Sequence, residues 1–161
     1  MVGVPPAYTL SGPTTVRSPQ TRRSVPIESV HLTETEPLLD ERDPGAVRES
    51  RALALRIADV ISDTPASNTL VLDIHAISPV ADFFVICSGE NERQLRATAR
   101  EVLEKLAEES VRPERTEGTS AAGWILLDYG EVIVHVMDVG QRAFYRLEEL
   151  WAEAQTLLAI Q

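Results

Sequence analysis

The stretch from Trp124 to Asp138 reads WILLDYGEVIVHVMD. Two apolar runs flank the turn formers Asp128, Tyr129 and Gly130, so the segment predicts a β-hairpin. A two-residue turn forces Tyr129 to positive φ, which is uncommon for a non-glycine residue. A three-residue loop leaves only Gly130 in the left-handed region. That loop sets Leu127 opposite Glu131 and Trp124 opposite Val134. One face then carries Trp124, Leu126, Val132, Val134 and Val136; the other carries Ile125, Leu127, Glu131, Ile133, His135 and Met137. The alternative turn shifts the pairing by one and puts Trp124 beside His135, so the register decides what His135 touches.

Asp128, Glu131 and His135 are residue types of acid–base catalysis. In either register Glu131 and His135 share a face but stand roughly 13 Å apart at strand rise. A direct acid–base pair needs hydrogen-bond reach. No Ser or Cys nucleophile lies beside them, and a half-buried histidine on a sheet face is the better reading.

Outward from the hairpin, Gly140 separates it from a last helix in which Leu147, Leu150, Trp151, Ala154 and Leu158 share one face. Arg142, Phe144 and Tyr145 lie at that junction, where the two aromatics suit core packing and partner anchoring equally. On the N-terminal side, residues 117–123 read as loop and 112–116 as a short edge strand. Before them comes a long helix with an apolar stripe of Leu95, Ala99, Val102, Leu103 and Leu106. Ser88, Gly89 and Asn91 offer turn and capping chemistry ahead of it. Residues 82–87 and 69–74 read as strands, with a turn at Ser78-Pro79. A first helix begins near Ala46, repeats Leu53, Ile57, Val60 and Ile61, and closes at Pro65 and Asn68. The order predicts a compact α/β domain over 46–161: a mixed sheet of about five strands flanked by helices.

Residues 1–45 differ. Seven of the ten prolines fall there, among Ser, Thr and Arg, with no lasting apolar period, so a disordered tail is expected. That tail holds four basic and six acidic residues; residues 46–161 hold eleven and nineteen, a net charge of −8 out of −10 for the chain. Such acidity disfavours bare nucleic acid, which is bound mainly through Lys and Arg, and no sequence-specific nucleic-acid binding is expected. A basic protein partner remains compatible. Cys87 is the only cysteine, so no intrachain disulfide is possible. No apolar run reaches the roughly 18 residues of a membrane span, and the N-terminus does not read as a secretory signal. A cytoplasmic protein is the expectation.

No metal or cofactor is expected. His31, His75 and His135 are scattered, and neither CxxC nor HExxH occurs. The SGEN run at Ser88–Asn91 precedes a helix and could hold an anion, but capping explains it as well. Arg93, Arg96 and Arg100 form a basic stripe beside Glu92, Glu101 and Glu104, which reads as a solvated face.

Taken in order, Asp82–Gly89 (DFFVICSG), Asn91–Gln94 (NERQ), Glu117-Gly118, Gly123–Val136 (GWILLDYGEVIVHV) and Arg142–Trp151 (RAFYRLEELW) resemble the ribosomal silencing factor family, also called the Iojap-like proteins. The resemblance spans about residues 46–155. It implies a fold similar to nucleotidyltransferases and a protein without enzymatic activity. It further implies binding to the large ribosomal subunit through ribosomal protein uL14, which blocks joining of the small subunit and represses translation when nutrients are scarce. Several family members self-associate, so a homodimer is an option. The motif positions with binding chemistry are Trp124, Asp128, Glu131, His135, Arg142, Phe144 and Tyr145, expected as the uL14 contact. The runner-up is a nucleotidyl-transferring enzyme. Its Gly-Ser turn and paired acids are not visible: Ser88-Gly89 has the reverse order, and Asp73 is followed by His75 rather than a second acid.

Overall fold

The computed structural model describes residues 42–161. Helix α1 (Pro44–Ser62) starts where its chemistry says it should. The Asp43 carboxylate accepts from the Gly45 N–H at 2.9 Å, and Pro44 occupies the first turn, where no amide donor is needed. Its buried stripe is Ala54, Ile57, Ala58 and Ile61. Strands β1 (Ser67–Asp73) and β2 (Phe83–Gly89) follow. Helix α2 (Glu92–Glu108) is capped by Asn91, whose side chain accepts from the Gln94 N–H at 3.0 Å. Next come β3 (Arg115–Thr119), β4 (Trp124–Asp128) and β5 (Val132–Asp138), then two short helices, α3 (Val139–Tyr145) and α4 (Leu147–Leu150), and finally β6 (Gln155–Ile160). No helix among the described residues is long and apolar enough to cross a membrane.

The six strands form one mixed sheet in the order β3-β4-β5-β2-β1-β6. Only β2 and β5 pair in parallel. They lie at the centre and are apolar on both faces, as a doubly covered strand pair must be. On one face α1 and α2 pack Ile57, Ile61, Leu95, Val102 and Leu106 against Val71, Phe83, Val85 and Val134. On the other, among the described residues, Leu72, Ile74, Phe84, Ile86, Ile133 and Met137 are covered by the C-terminal segment through Leu147, Trp151 and Ala154.

The sheet has six strands, not about five, because the expected last helix does not persist. Arg146 takes a left-handed conformation (φ 45°) and separates α3 from α4, which lasts a single turn. The chain then extends as β6 and pairs antiparallel with β1, setting Val71 opposite Leu158. The helical spacing of Leu147, Leu150, Trp151, Ala154 and Leu158 is real, but the open edge of β1 outweighs it, as tertiary pairing commonly overrides local pattern. The edge strand β3 starts and ends three residues later than expected. All its residues are exposed, and charged Arg115 and Glu117 blunt the free edge. Within it Gly118 (φ 76°) lies so close to β4 that an added Cβ would sit 2.0 Å from the Trp124 carbonyl oxygen.

The hairpin register also differs from both sequence readings. Asp128 pairs with Ile133, Leu127 with Val134 and Leu126 with His135. Tyr129–Glu131 form the connection, closed by the Tyr129 N–H on the Val132 carbonyl at 2.9 Å. Asp128 accepts from the Gly130 N–H at 2.9 Å, an Asx turn that holds Gly130 at φ 84°. The reason for the shift lies on another strand. The Glu131 carbonyl accepts from the N–H groups of both Asp82 and Phe83, at 2.8 and 3.0 Å. Glu131 is thereby committed to β2 rather than to the hairpin ladder. Moving the partner of Leu127 from Glu131 to Val134 is an odd shift, so it exchanges faces. Trp124 and Leu126 join Ile133, His135 and Met137, while Ile125 and Leu127 join Val132, Val134 and Val136 in the α1–α2 core.

The segment expected as a tail enters the described chain only at its end. Arg42 ion-pairs with Asp82 and, at 3.5 Å, with Glu131. Helix α1 begins at Pro44, slightly before Ala46. The rest of that expectation, and His31, fall outside the described residues.

Candidate docking site

Trp124 opens β4 on the face covered by the C-terminal segment. Its indole N–H donates to His135 Nδ1 at 3.2 Å. His135 is buried, with the Phe84 ring edge-on at a centroid distance of 4.8 Å. Burial pushes its pKa down to about 4, so the imidazole is neutral at physiological pH. Above the indole lies Tyr145, ring centroids 4.7 Å apart, and Phe144 packs edge-on against Tyr145 at 5.0 Å.

Helix α3 sets this arrangement. Asp138 caps it by accepting from the Gln141 N–H at 2.6 Å, and the Asp138 N–H itself donates to the Gly123 carbonyl at 2.8 Å. The Gln141 amide reaches the Ala122 carbonyl at 3.3 Å. The helix buries no residue of its own and ends at left-handed Arg146, so Phe144 and Tyr145 project at its exposed end. Phe144 is 78% exposed and Tyr145 48%. A groove of about 360 Å³ is lined by Trp124 and Leu126 of β4, Glu117 and Gly118 of β3, and Gln141 and Tyr145 of α3. Val139 and Leu150 add further exposed apolar surface near this end of the chain.

Of the seven residues singled out in the sequence, Trp124, His135, Phe144 and Tyr145 are thus brought together. Asp128 and Glu131 are not. Asp128 lies at the far end of β4, buried, with Arg115 at 2.9 Å and the Gly130 N–H as its partners. Glu131 is exposed at the hairpin turn beside Arg42. Arg142 turns the other way from α3. Its guanidinium pairs with Glu148 at 2.6 Å and donates to Ser88 Oγ at 2.9 Å and to the Asn68 carbonyl, tying the C-terminal segment to β1 and β2. Glu117, Gln141 and Phe84 join the site although the sequence singles out none of them as a contact residue. The Glu117-Gly118 pair stands out in sequence, yet only the β3–β4 pairing brings it beside Trp124.

The site combines aromatic surface with a groove, which can receive a partner. His135 faces aromatic rings rather than a nucleophile. Cys87 is buried and its thiol is pushed up to about 12, which keeps it protonated. Among the described residues, no three His, Cys, Asp or Glu side chains gather as a metal site would require. Asp73 is bonded to the neighbouring His75 ring and backbone. Ser88 is taken by Arg142, and Gly89 is packed against Leu95. Arg96 and Arg100 pair with Glu92 and Glu104 along the solvated face of α2.

Comparison with known proteins agrees with this architecture. Residues 47–160 match the family model described as "Ribosomal silencing factor during starvation". The ribosomal silencing factor of Bacillus subtilis is 40% identical over 97 residues, covering 60% of this chain and 82% of that protein. The one from Halalkalibacterium halodurans is 39% identical over 99 residues, covering 62% and 85%. A crystal structure of a Chromobacterium violaceum protein superposes with a TM-score of 0.59 at 30% identity, covering 66% of this chain and 86% of that one. A Bacillus halodurans crystal structure gives 0.57 at 36% identity, covering 69% and 98%. With most of its length matched by the family model and the same fold in these solved structures, the chain belongs to the ribosomal silencing factor family.

Proposed function

We propose that this protein represses translation by binding the large ribosomal subunit through ribosomal protein uL14 and blocking the small subunit from joining. The observation that carries the reading is the aromatic cluster of half-buried Trp124 with exposed Phe144 and Tyr145 beside an open groove. Aromatic side chains so displayed supply large apolar area at low entropic cost and are enriched in binding hot spots. The acidic balance of residues 46–161 complements a basic ribosomal protein and disfavours naked RNA. The mechanism is steric, so it needs position and affinity and no reaction. Asp128 and Arg142 contribute to it by holding β4 and α3 in place, and Glu131 presents a charge at the opposite, hairpin-turn end of the sheet. Such a protein works where ribosomes are, in the cytoplasm, as a monomer or as a homodimer.

The test is sedimentation with purified ribosomal subunits. The wild type should pellet with large subunits and reduce formation of joined ribosomes. Phe144→Ala and Tyr145→Ala should each weaken pelleting by about tenfold, the cost of a hot-spot side chain, with unchanged circular dichroism. A wild type that stays in the supernatant at low salt sinks the proposal.

A further inference from the structure

We infer that His135 is a positioning residue for the docking face: its Nδ1 holds the Trp124 indole in the orientation against which Tyr145 packs. The inference rests on the docking role proposed above for Trp124.

The argument begins with the direction of the bond. An indole N–H can only donate, so His135 Nδ1 must accept and be unprotonated. The neutral ring therefore carries its proton on Nε2. That nitrogen is buried and has no partner among the described residues. A leucine or phenylalanine at this place would fill the space under Trp124 and beside Phe84 without burying an unpaired N–H, which costs free energy. What the imidazole adds over those residues is one acceptor, aimed at the indole.

The geometry gives that acceptor a consequence. Trp124 is only half-buried, at the start of its strand, and its indole contacts the Tyr145 ring, centroids 4.7 Å apart, while its N–H is held by His135. Helix α3 buries nothing of its own, so the indole is a principal support for Tyr145. Fixing the indole therefore fixes the part of the groove lining that Trp124 and Tyr145 form together. Released from His135, the indole is free to turn about its side-chain torsions, and that lining loses its definition.

The decisive measurement is made first on the free protein. Trp124 and Trp151 give the two indole N–H signals, assigned with Trp151→Phe. In His135→Phe, exchange of the Trp124 indole proton with solvent should be about fivefold to tenfold faster, the range of one modest hydrogen bond. His135→Gln, which restores an acceptor oxygen, should recover part of the protection. His135→Leu carries the same expectation should the phenylalanine variant not fold. Pelleting with large subunits is then compared in two backgrounds. His135→Phe should weaken binding about fivefold next to Trp124, and add nothing in Trp124→Phe, where no indole remains to be held. Unchanged indole exchange, or an equal loss in both backgrounds, overturns the inference. Absence of any wild-type binding instead removes the docking role, and the indole exchange still decides whether His135 holds Trp124.

Discussion

Arg115 and Asp128 face each other across the first rung of the β3–β4 pairing, guanidinium to carboxylate at 2.9 Å. The other carboxylate oxygen accepts from the Gly130 N–H, also at 2.9 Å. Asp128 thus joins the edge strand to the hairpin turn. Asp128→Ala is expected to cost about 1–2 kcal/mol, chiefly from the lost turn bond, whose acceptor is buried. The exposed Arg115 adds little. Urea unfolding measures the loss. Full stability in the variant would show that the Asx turn does not define the loop.

His135 makes stability depend on pH. Burial pushes its folded pKa down to about 4, against an ordinary value of 6.5. Between those values the unfolded chain binds a proton that the folded one refuses, so stability rises with pH. The contribution is fully present above pH 6.5 and is lost as pH falls towards 4, with a span on the order of 3 kcal/mol. Unfolding free energies of the wild type and His135→Phe from pH 4.5 to 7.5 should diverge in slope, the variant being flatter. Parallel curves would mean that His135 titrates normally and is not sealed beneath Trp124.

Gly118 is required by contact and by conformation together. Its φ of 76° is disfavoured for a residue with a Cβ, and that Cβ would meet the Trp124 carbonyl. Gly118→Ala should destabilise by at least about 2 kcal/mol, more than the 1–2 kcal/mol of the left-handed conformation alone. It should also weaken large-subunit binding, because β3 forms one wall of the groove. Thermal melting and pelleting check the two effects, and a variant with wild-type melting contradicts the close approach.

Deleting residues 155–161 removes β6 and opens the edge of β1. The half-buried Leu157 and Leu158 leave the α1–α2 core with it. The expected cost is about 2–3 kcal/mol, in line with partial burial of two leucines. Amides of β1 bonded to β6 should lose hydrogen-exchange protection, while those bonded to β2 keep theirs longer. Uniform protection along β1 in the truncated chain would contradict a sixth strand.

Much of this fold was legible locally. Asn91 marks the start of α2, and the stripes of α1 and α2 repeat at the helical period, whereas Asp43 and Pro44, which start α1, lie in the stretch that reads as the end of a tail. The doubly buried β2 reads as a continuous apolar run. The gathering of Trp124 with Tyr145 was less legible, since a turn and a helix cap at Asp138 intervene. Arg142 shows why residue type misleads: an arginine beside two aromatics suggests a hot spot, yet it is spent on Glu148, Ser88 and Asn68.

The sequence by itself determined the acidic balance, the kind and order of most elements, and the segments that mark the ribosomal silencing factor family. Those properties depend on neighbours within a turn or two of helix or a few residues of strand. Tertiary structure decided the hairpin register, the sixth strand and the partner of His135. In each case the deciding group is far along the chain. The Asp82 and Phe83 amides claim Glu131, the open edge of β1 claims Gln155–Ile160, and the resulting odd shift places the Trp124 indole over His135. Local periodicity carries no information about such partners, because hydrogen-bond donors on one strand do not show in the pattern of another.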